Sequence, residues 1–132
     1  MDEELRLLIQ RVARRIRNNR AGEDSDTRLG VLFHLEGGDH TPGELAAQDH
    51  VSPPSMNRTL NGLERDGLVQ RRPAEDDARK VHVSITDAGL ARIRETRALR
   101  TAWLARQLQQ LSDDERRLLE AAIPVLRKLA DS

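Results

Sequence analysis

The placement of helix starts and stops between Thr41 and Thr86 constrains this chain more than any other feature. Thr41 offers a capping hydroxyl, Pro42 suits a first helical position, and Glu44 sits three residues past the cap, the spacing of a capping box. The helix they start is short, with Leu45, Ala46 and Val51 as its apolar positions. Ser52 can cap the next helix, and Pro53 and Pro54 are tolerated there because first-turn N–H groups have no helical partner. Met56, Leu60 and Leu63 then fall on one face, and Gly67 stops the helix in a left-handed turn. Leu68 to Arg72 reads as a strand, and in a second one Val81, Val83 and Ile85 alternate with His82 and Ser84. Pro73 to Lys80 is the polar loop between them. Two short capped helices running into a hairpin form a winged helix-turn-helix.

The flanks are helical. Leu5, Leu8, Ile9, Val12 and Ile16 recur at helical spacing, and a polar loop from Asn18 to Asp24 follows. Ser25 or Asp26 caps a second helix carrying Leu29, Leu32, Phe33 and Leu35, which Gly37-Gly38-Asp39 ends. Thr86 caps a long helix predicted over Asp87 to Leu111, with Leu90, Ile93, Leu104, Leu108 and Leu111 as apolar positions. Ser112 and Glu115 make another capping box, opening a last helix with Leu118, Leu119, Ala122, Ile123, Leu126 and Leu129. Pro124 inside it is expected to introduce a kink. Phe33 and Trp103 are the only aromatics, so the core is aliphatic, as suits helices packed on helices. The expected fold is mainly α with a small β-hairpin wing: one domain over 1–132, with a winged lobe at 26–86 flanked by helical segments at 1–20 and 87–132.

Composition narrows the chemistry. With no cysteine there is no disulfide, thiolate metal site or thiol redox switch. His34, His40, His50 and His82 do not lie at ligand spacing, so no metal is expected. No nucleophile–base pair, phosphate loop or paired-carboxylate pattern points to an enzyme or a cofactor. No apolar run is long enough for a membrane span or signal peptide, and the expectation is a cytoplasmic protein with no membrane partner. Net charge is zero, so bulk charge gives no argument for nucleic acid. Its distribution is uneven: Met1–Arg20 has six arginines against three acids, whereas Ala21–His40 has one arginine against five.

The segment TPGELAAQDHVSPPSMNRTLNGLERDGLVQRRPAEDDARKVHVSIT, from Thr41 to Thr86, resembles the MarR family of transcriptional regulators. The features fall in register: ELA in the first helix of the motif, Val51-Ser52-Pro53 at the turn, LERDGLVQRRP into the wing, DDARKVHVSIT through its tip and return strand, and TDAG opening the long helix. The resemblance implies a bacterial, homodimeric regulator, most often a repressor, that covers an inverted repeat in double-stranded DNA. It also implies a small lipophilic or phenolic effector bound between the dimerisation helices and the DNA-binding lobe. In the family the flanking helices interleave with a second copy. Leu5, Leu8, Leu104, Leu108, Leu111, Leu118, Ile123 and Leu126 are the interface candidates here.

Physical chemistry supplies roles for the DNA-facing residues. With Met56, Leu60 and Leu63 turned inward, Pro54, Ser55, Asn57, Arg58, Asn61 and Arg65 face out. Asn can pair bidentately with adenine and Arg with guanine. The resemblance places Asn57 and Arg58 where the family reads bases. Gly62 departs from the larger polar residue usual in the family and is expected to remove a backbone contact to DNA. Thr41, Ser52, Ser55 and the helix N-termini are candidate phosphate contacts. Asp77 and Arg79 fit the family's D-x-R wing pattern, whose Arg enters the minor groove, and Lys80 adds charge beside them. Arg71 and Arg72 either contact phosphate or pair with Glu75 or Asp76. The alternatives to base reading are a winged-helix adaptor between proteins, whose exposed face should lack Arg and Asn, and a ligand-buffering protein that keeps the fold.

Overall fold

The computed structural model describes residues 1–132. The chain runs α1 (Asp2–Arg17), α2 (Asp26–Leu35), α3 (Pro42–Gln48), α4 (Pro53–Arg65), β1 (Val69–Pro73), β2 (Val81–Ile85), α5 (Asp87–Gln109) and α6 (Asp113–Ala130). Side-chain caps start five of the helices: Ser25, Thr41, Ser52, Thr86 and Ser112 each accept from the backbone N–H three residues on. Each satisfies a donor that the helix itself cannot. Only Ser112 with Glu115 completes a capping box. At Thr41 half of the expected box is missing, because the Glu44 carboxylate turns to His40 Nδ1 at 3.0 Å instead.

Leu29, Val31, Leu32 and Leu35 of α2 meet Leu45 and Ala46 of α3, Met56, Leu60 and Leu63 of α4, Val69 and Val83 of the hairpin, and Ile93 of α5. All are buried and aliphatic, apart from the Met56 thioether. Val51 packs against this core from the turn after α3 and not from the helix itself. The hairpin is antiparallel, pairing Val69 with Ile85 and Pro73 with Val81. His40 adds an isolated bridge to Val83, tying the segment before α3 to the hairpin.

Two glycines set how the hairpin joins its helices. Gly67 has φ +76° after α4. Its N–H bonds Glu64 O and that of Leu68 bonds Leu63 O at 2.9 Å, which is the Schellman arrangement. Gly89 lies at the start of α5, where an added Cβ would sit 2.3 Å from Leu68 O. The long helix therefore leaves the hairpin in direct contact with backbone.

α5 ends at Gln109, two residues short of the expected Leu111, which lies in the turn before Ser112. α1 and α6 bury no residue. Leu5, Leu7, Leu8, Ile9 and Val12 of α1 are exposed, as are Leu118, Leu119, Ile123, Val125, Leu126 and Leu129 of α6. α1 is fixed mainly at its C-terminal end. Arg20 and Arg100 donate to Arg17 O, Arg100 Nε donates to Asn19 O at 3.1 Å, and the Ala21 N–H donates to Thr96 Oγ1 at 3.0 Å. These cations sit where the helix dipole is negative.

Candidate nucleic-acid interface

α4 presents one edge to solvent. Asn57, Arg58, Asn61 and Arg65 are exposed, while Met56, Leu60 and Leu63 fix the opposite edge in the core. Ser52, Pro53 and Pro54 are exposed at its start, with Ser52 Oγ accepting from the Ser55 N–H at 3.3 Å. Arg58 folds back one turn, its Nη2 donating to Ser55 Oγ at 3.0 Å. That contact leaves the Ser55 hydroxyl proton free to donate and holds the guanidinium near the helix start.

Gly62 is not on this exposed edge. It is buried beside α2, where an added Cβ would sit 3.2 Å from Arg28 Nη1. Its absent side chain makes room for Arg28, so the expected loss of a DNA contact does not apply.

In the wing, Arg79 Nε and Nη2 reach the two Asp77 oxygens at 3.2 and 3.3 Å, and the Arg79 N–H donates to Oδ1 at 3.0 Å. These donors hold the Asp77 carboxyl below its ordinary pKa, the side-chain bond contributing most. Arg79 is 91% exposed and yet paired, so the hairpin tip carries a directed guanidinium. Lys80 is exposed beside it. Thr41 is half-buried, its Oγ1 accepting from the Glu44 N–H at 3.1 Å.

Neither strand arginine pairs with Glu75 or Asp76. Arg72 donates to Gln70 Oε1 at 3.0 and 2.5 Å, because side chains two apart on a strand share a face. Arg71 turns onto α4 and bonds Asn61, Glu64 and the Asn57 carbonyl. Glu64 was invisible as a site residue because its partner comes from the strand that follows.

Another cluster without a local signature lies behind α4. Asp24, 4% exposed, takes Arg28 at 2.9 Å and also Arg92. Arg28 bridges on to Asp66 at 2.7 Å, holding that carboxyl below its ordinary pKa. The loop after α1, the end of α4 and the start of α5 are thereby joined by alternating charges.

A profile for the MarR family matches residues 25–80, the span from the α2 cap to the wing tip. An uncharacterized HTH-type transcriptional regulator of Mycobacterium bovis, Mb0904, is 35% identical over 97% of this chain and 91% of its own length. This chain belongs to the MarR family. The MarR fold extends over its whole length: a putative transcriptional regulator from Pseudomonas aeruginosa matches with a TM-score of 0.86 and 34% identity, covering 99% of this chain and 94% of that one. The HTH-type transcriptional repressor YetL of Bacillus subtilis is 31% identical over 67% of this chain and 53% of its own. As a MarR-family chain it is a helix-turn-helix transcriptional regulator.

Proposed function

We propose that this MarR-family regulator binds an inverted repeat in double-stranded DNA as a homodimer and acts as a repressor. In this reading the lobe at 26–86 docks on DNA, and the helices at 1–20 and 87–132 join two copies. The observation that carries it is the presence of two exposed polar elements on one lobe: the edge of α4, with Asn57, Arg58 and Asn61, and a wing tip whose Arg79 is pre-oriented by Asp77. A helix fits the major groove and a wing Arg fits the adjacent minor groove. Ser52, Ser55 and Thr41 sit at helix starts, where N–H groups and hydroxyls suit phosphate. Pro53 and Pro54 shape the approach, and Arg65, Arg72 and Lys80 supply charge at the flanks of the footprint. An adaptor between proteins has no need for this concentration of exposed Arg and Asn.

Two-fold pairing of α4 helices calls for half-site centres about one DNA turn apart, roughly 10 bp. Footprinting on fragments selected from genomic DNA tests this. A symmetric protected repeat is expected, and a single asymmetric half-site would contradict it. Repression is supported by the similarity to YetL, which is named a repressor. For an effector, the family resemblance supports a small lipophilic or phenolic molecule held between the dimerisation helices and the DNA-binding lobe. Release of the selected DNA by a panel of phenolic acids tests that part separately.

A further inference from the structure

We infer that Arg71 is a positioning residue for DNA reading, which fixes Asn61 as a hydrogen-bond donor and so makes it select guanine rather than adenine. The inference rests on α4 being the helix that enters the major groove. Arg71 reaches back from β1 across the exposed edge of α4. Its Nη1 donates to Asn61 Oδ1 at 2.8 Å and to Glu64 Oε1 at 3.3 Å, its Nη2 donates to the Asn57 carbonyl at 3.4 Å, and its backbone N–H donates to Glu64 Oε2 at 3.2 Å. Its side chain is only 23% exposed, so the guanidinium is committed to the helix and not held out for phosphate.

Chemistry settles which way the Asn61 amide faces. A guanidinium has donors only, so the amide oxygen must be the atom that meets it. The Nδ2 group is then turned away from Arg71, with both of its N–H donors available. A free Asn reads adenine by accepting from N6–H and donating to N7. Asn61 has its oxygen engaged and presents a pair of donors, whose complement in the major groove is the adjacent O6 and N7 acceptors of guanine. The Glu64 carboxylate accepts from the same Nη1 and from the Arg71 backbone N–H, which ties both the strand and its guanidinium to α4 beside Asn61.

The experiment is selection of bound sites from a random duplex pool by the parent, Arg71→Met, Asn61→Ala, Asn61→Asp and the Arg71→Met/Asn61→Ala double variant. Titrations of each on the parent's site and on random duplex, at two salt concentrations, accompany it. In the parent, the position that loses its preference in Asn61→Ala is expected to be guanine. Arg71→Met is expected to lose about tenfold in specificity ratio at that position, with random-duplex affinity and salt slope unchanged. The double variant should be no worse than Asn61→Ala. Asn61→Asp keeps an acceptor for Arg71 and has no donor. It should stay folded and abandon guanine, which tests the assignment even if Arg71→Met fails to fold. Adenine at the Asn61-dependent position overturns the inference. So does an Arg71→Met chain that loses affinity equally on both duplexes with a salt slope lower by about one, the behaviour of a phosphate contact. A parent with no sequence preference would overturn base reading by α4 itself, whereas a discriminating parent with an equally discriminating Arg71→Met overturns the clamp alone.

Discussion

An arginine at the tip of a hairpin is valuable to DNA binding only if it points the right way when the protein arrives. Arg79 is almost fully exposed, and a free arginine in that position samples many rotamers. The two-point pairing with Asp77 removes much of that freedom before docking. Bulk electrostatics makes the opposite forecast for Asp77→Ala, since removing an acid near phosphate should tighten binding. We expect Asp77→Ala to bind its operator several-fold more weakly than the parent, with a melting temperature lowered only slightly, because an exposed ion pair contributes little to fold stability. Arg79→Ala should also weaken binding, and the double variant should be little worse than Arg79→Ala alone. Tighter binding by Asp77→Ala at both of two salt concentrations would reduce Asp77 to a repulsive surface charge. Arg58 differs in kind, because it is held by a neutral hydroxyl that it can leave at little cost. Arg58→Ala is expected to lose about 1–3 kcal/mol on the operator and to relax one position per half-site. Equal losses on operator and random DNA would show a phosphate contact.

At the level of elements, the join between hairpin and α5 is the tightest point in the fold. Gly89 begins the helix with no room for a methyl group, since its nearest neighbours are Leu68 O and the Ile85 side chain. Backbone cannot step aside as a flexible side chain can. Gly89→Ala is therefore expected to destabilise by about 1–3 kcal/mol, as overpacking does, despite the better helix propensity of alanine. Chemical denaturation measures it, and a stabilised variant would mean that α5 can shift outward freely. The elements themselves were legible in the sequence because caps and stops are local chemistry: Ser52, Gly67, Thr86 and Ser112 each act within a few residues. Contacts across elements were not. Nothing near Arg71 in the chain says that it will clamp Asn61 and not meet Glu75, and nothing near Asp24 announces Arg92. Glu44 differs, since its box spacing is defeated locally: His40, four residues before it, takes the carboxylate instead.

Acid stability draws on several elements at once. Five carboxyls are held below their ordinary values of 4.5 for Glu and 3.8 for Asp: Glu36 chiefly by Arg97, Glu44 by His40, Asp66 by Arg28, Asp77 by Arg79, and Glu115 by the Ser112 backbone. A carboxyl that is a stronger acid when folded stabilises the fold above its unfolded pKa and ceases to as pH falls through its folded one. The melting temperature should accordingly show no loss from these groups down to about pH 5 and then fall progressively below it. Glu36→Gln and Asp66→Asn should each make that acid limb shallower. A limb unchanged in both would place the acid sensitivity elsewhere.

On the scale of the whole molecule, a single chain leaves too much apolar helix in water. Leu118 is 70% exposed, Ile123 49% and Leu126 46%, and Leu5 and Leu8 are exposed at 42% and 46%. Leu104 is exposed at 37%, while Leu108 and Leu111 are half-buried, so the interface candidates reach from both ends of the chain. Ile9, Val12, Leu119, Val125 and Leu129 widen the same faces beyond the residues first singled out, and Leu7 is exposed on the other side of α1. Scattered apolar side chains on a surface need no explanation, but contiguous stripes on two helices that bury nothing of their own do. A second copy of this chain, as proposed above, would cover these stripes and also set two α4 helices against one palindrome. The two readings separate under charge substitution. If Leu8 and Leu126 face water, Leu8→Glu and Leu126→Glu should change stability by about 0.5 kcal/mol or less. If a second copy covers them, each puts an unpaired charge into an apolar contact, which association cannot tolerate. Sedimentation at micromolar concentration is expected to give a dimer for the parent and monomers for both variants. Trp103, with Arg15 stacked 5.1 Å from its ring centroid between α5 and α1, is the chain's single tryptophan and reports on this region. The monomeric variants should keep the helical signal of the lobe and lose most of their affinity for the full repeat, because the second half-site no longer benefits from being tethered to the first. A stable parent monomer at that concentration, or variants that remain dimers, would mean that these leucines serve some other contact.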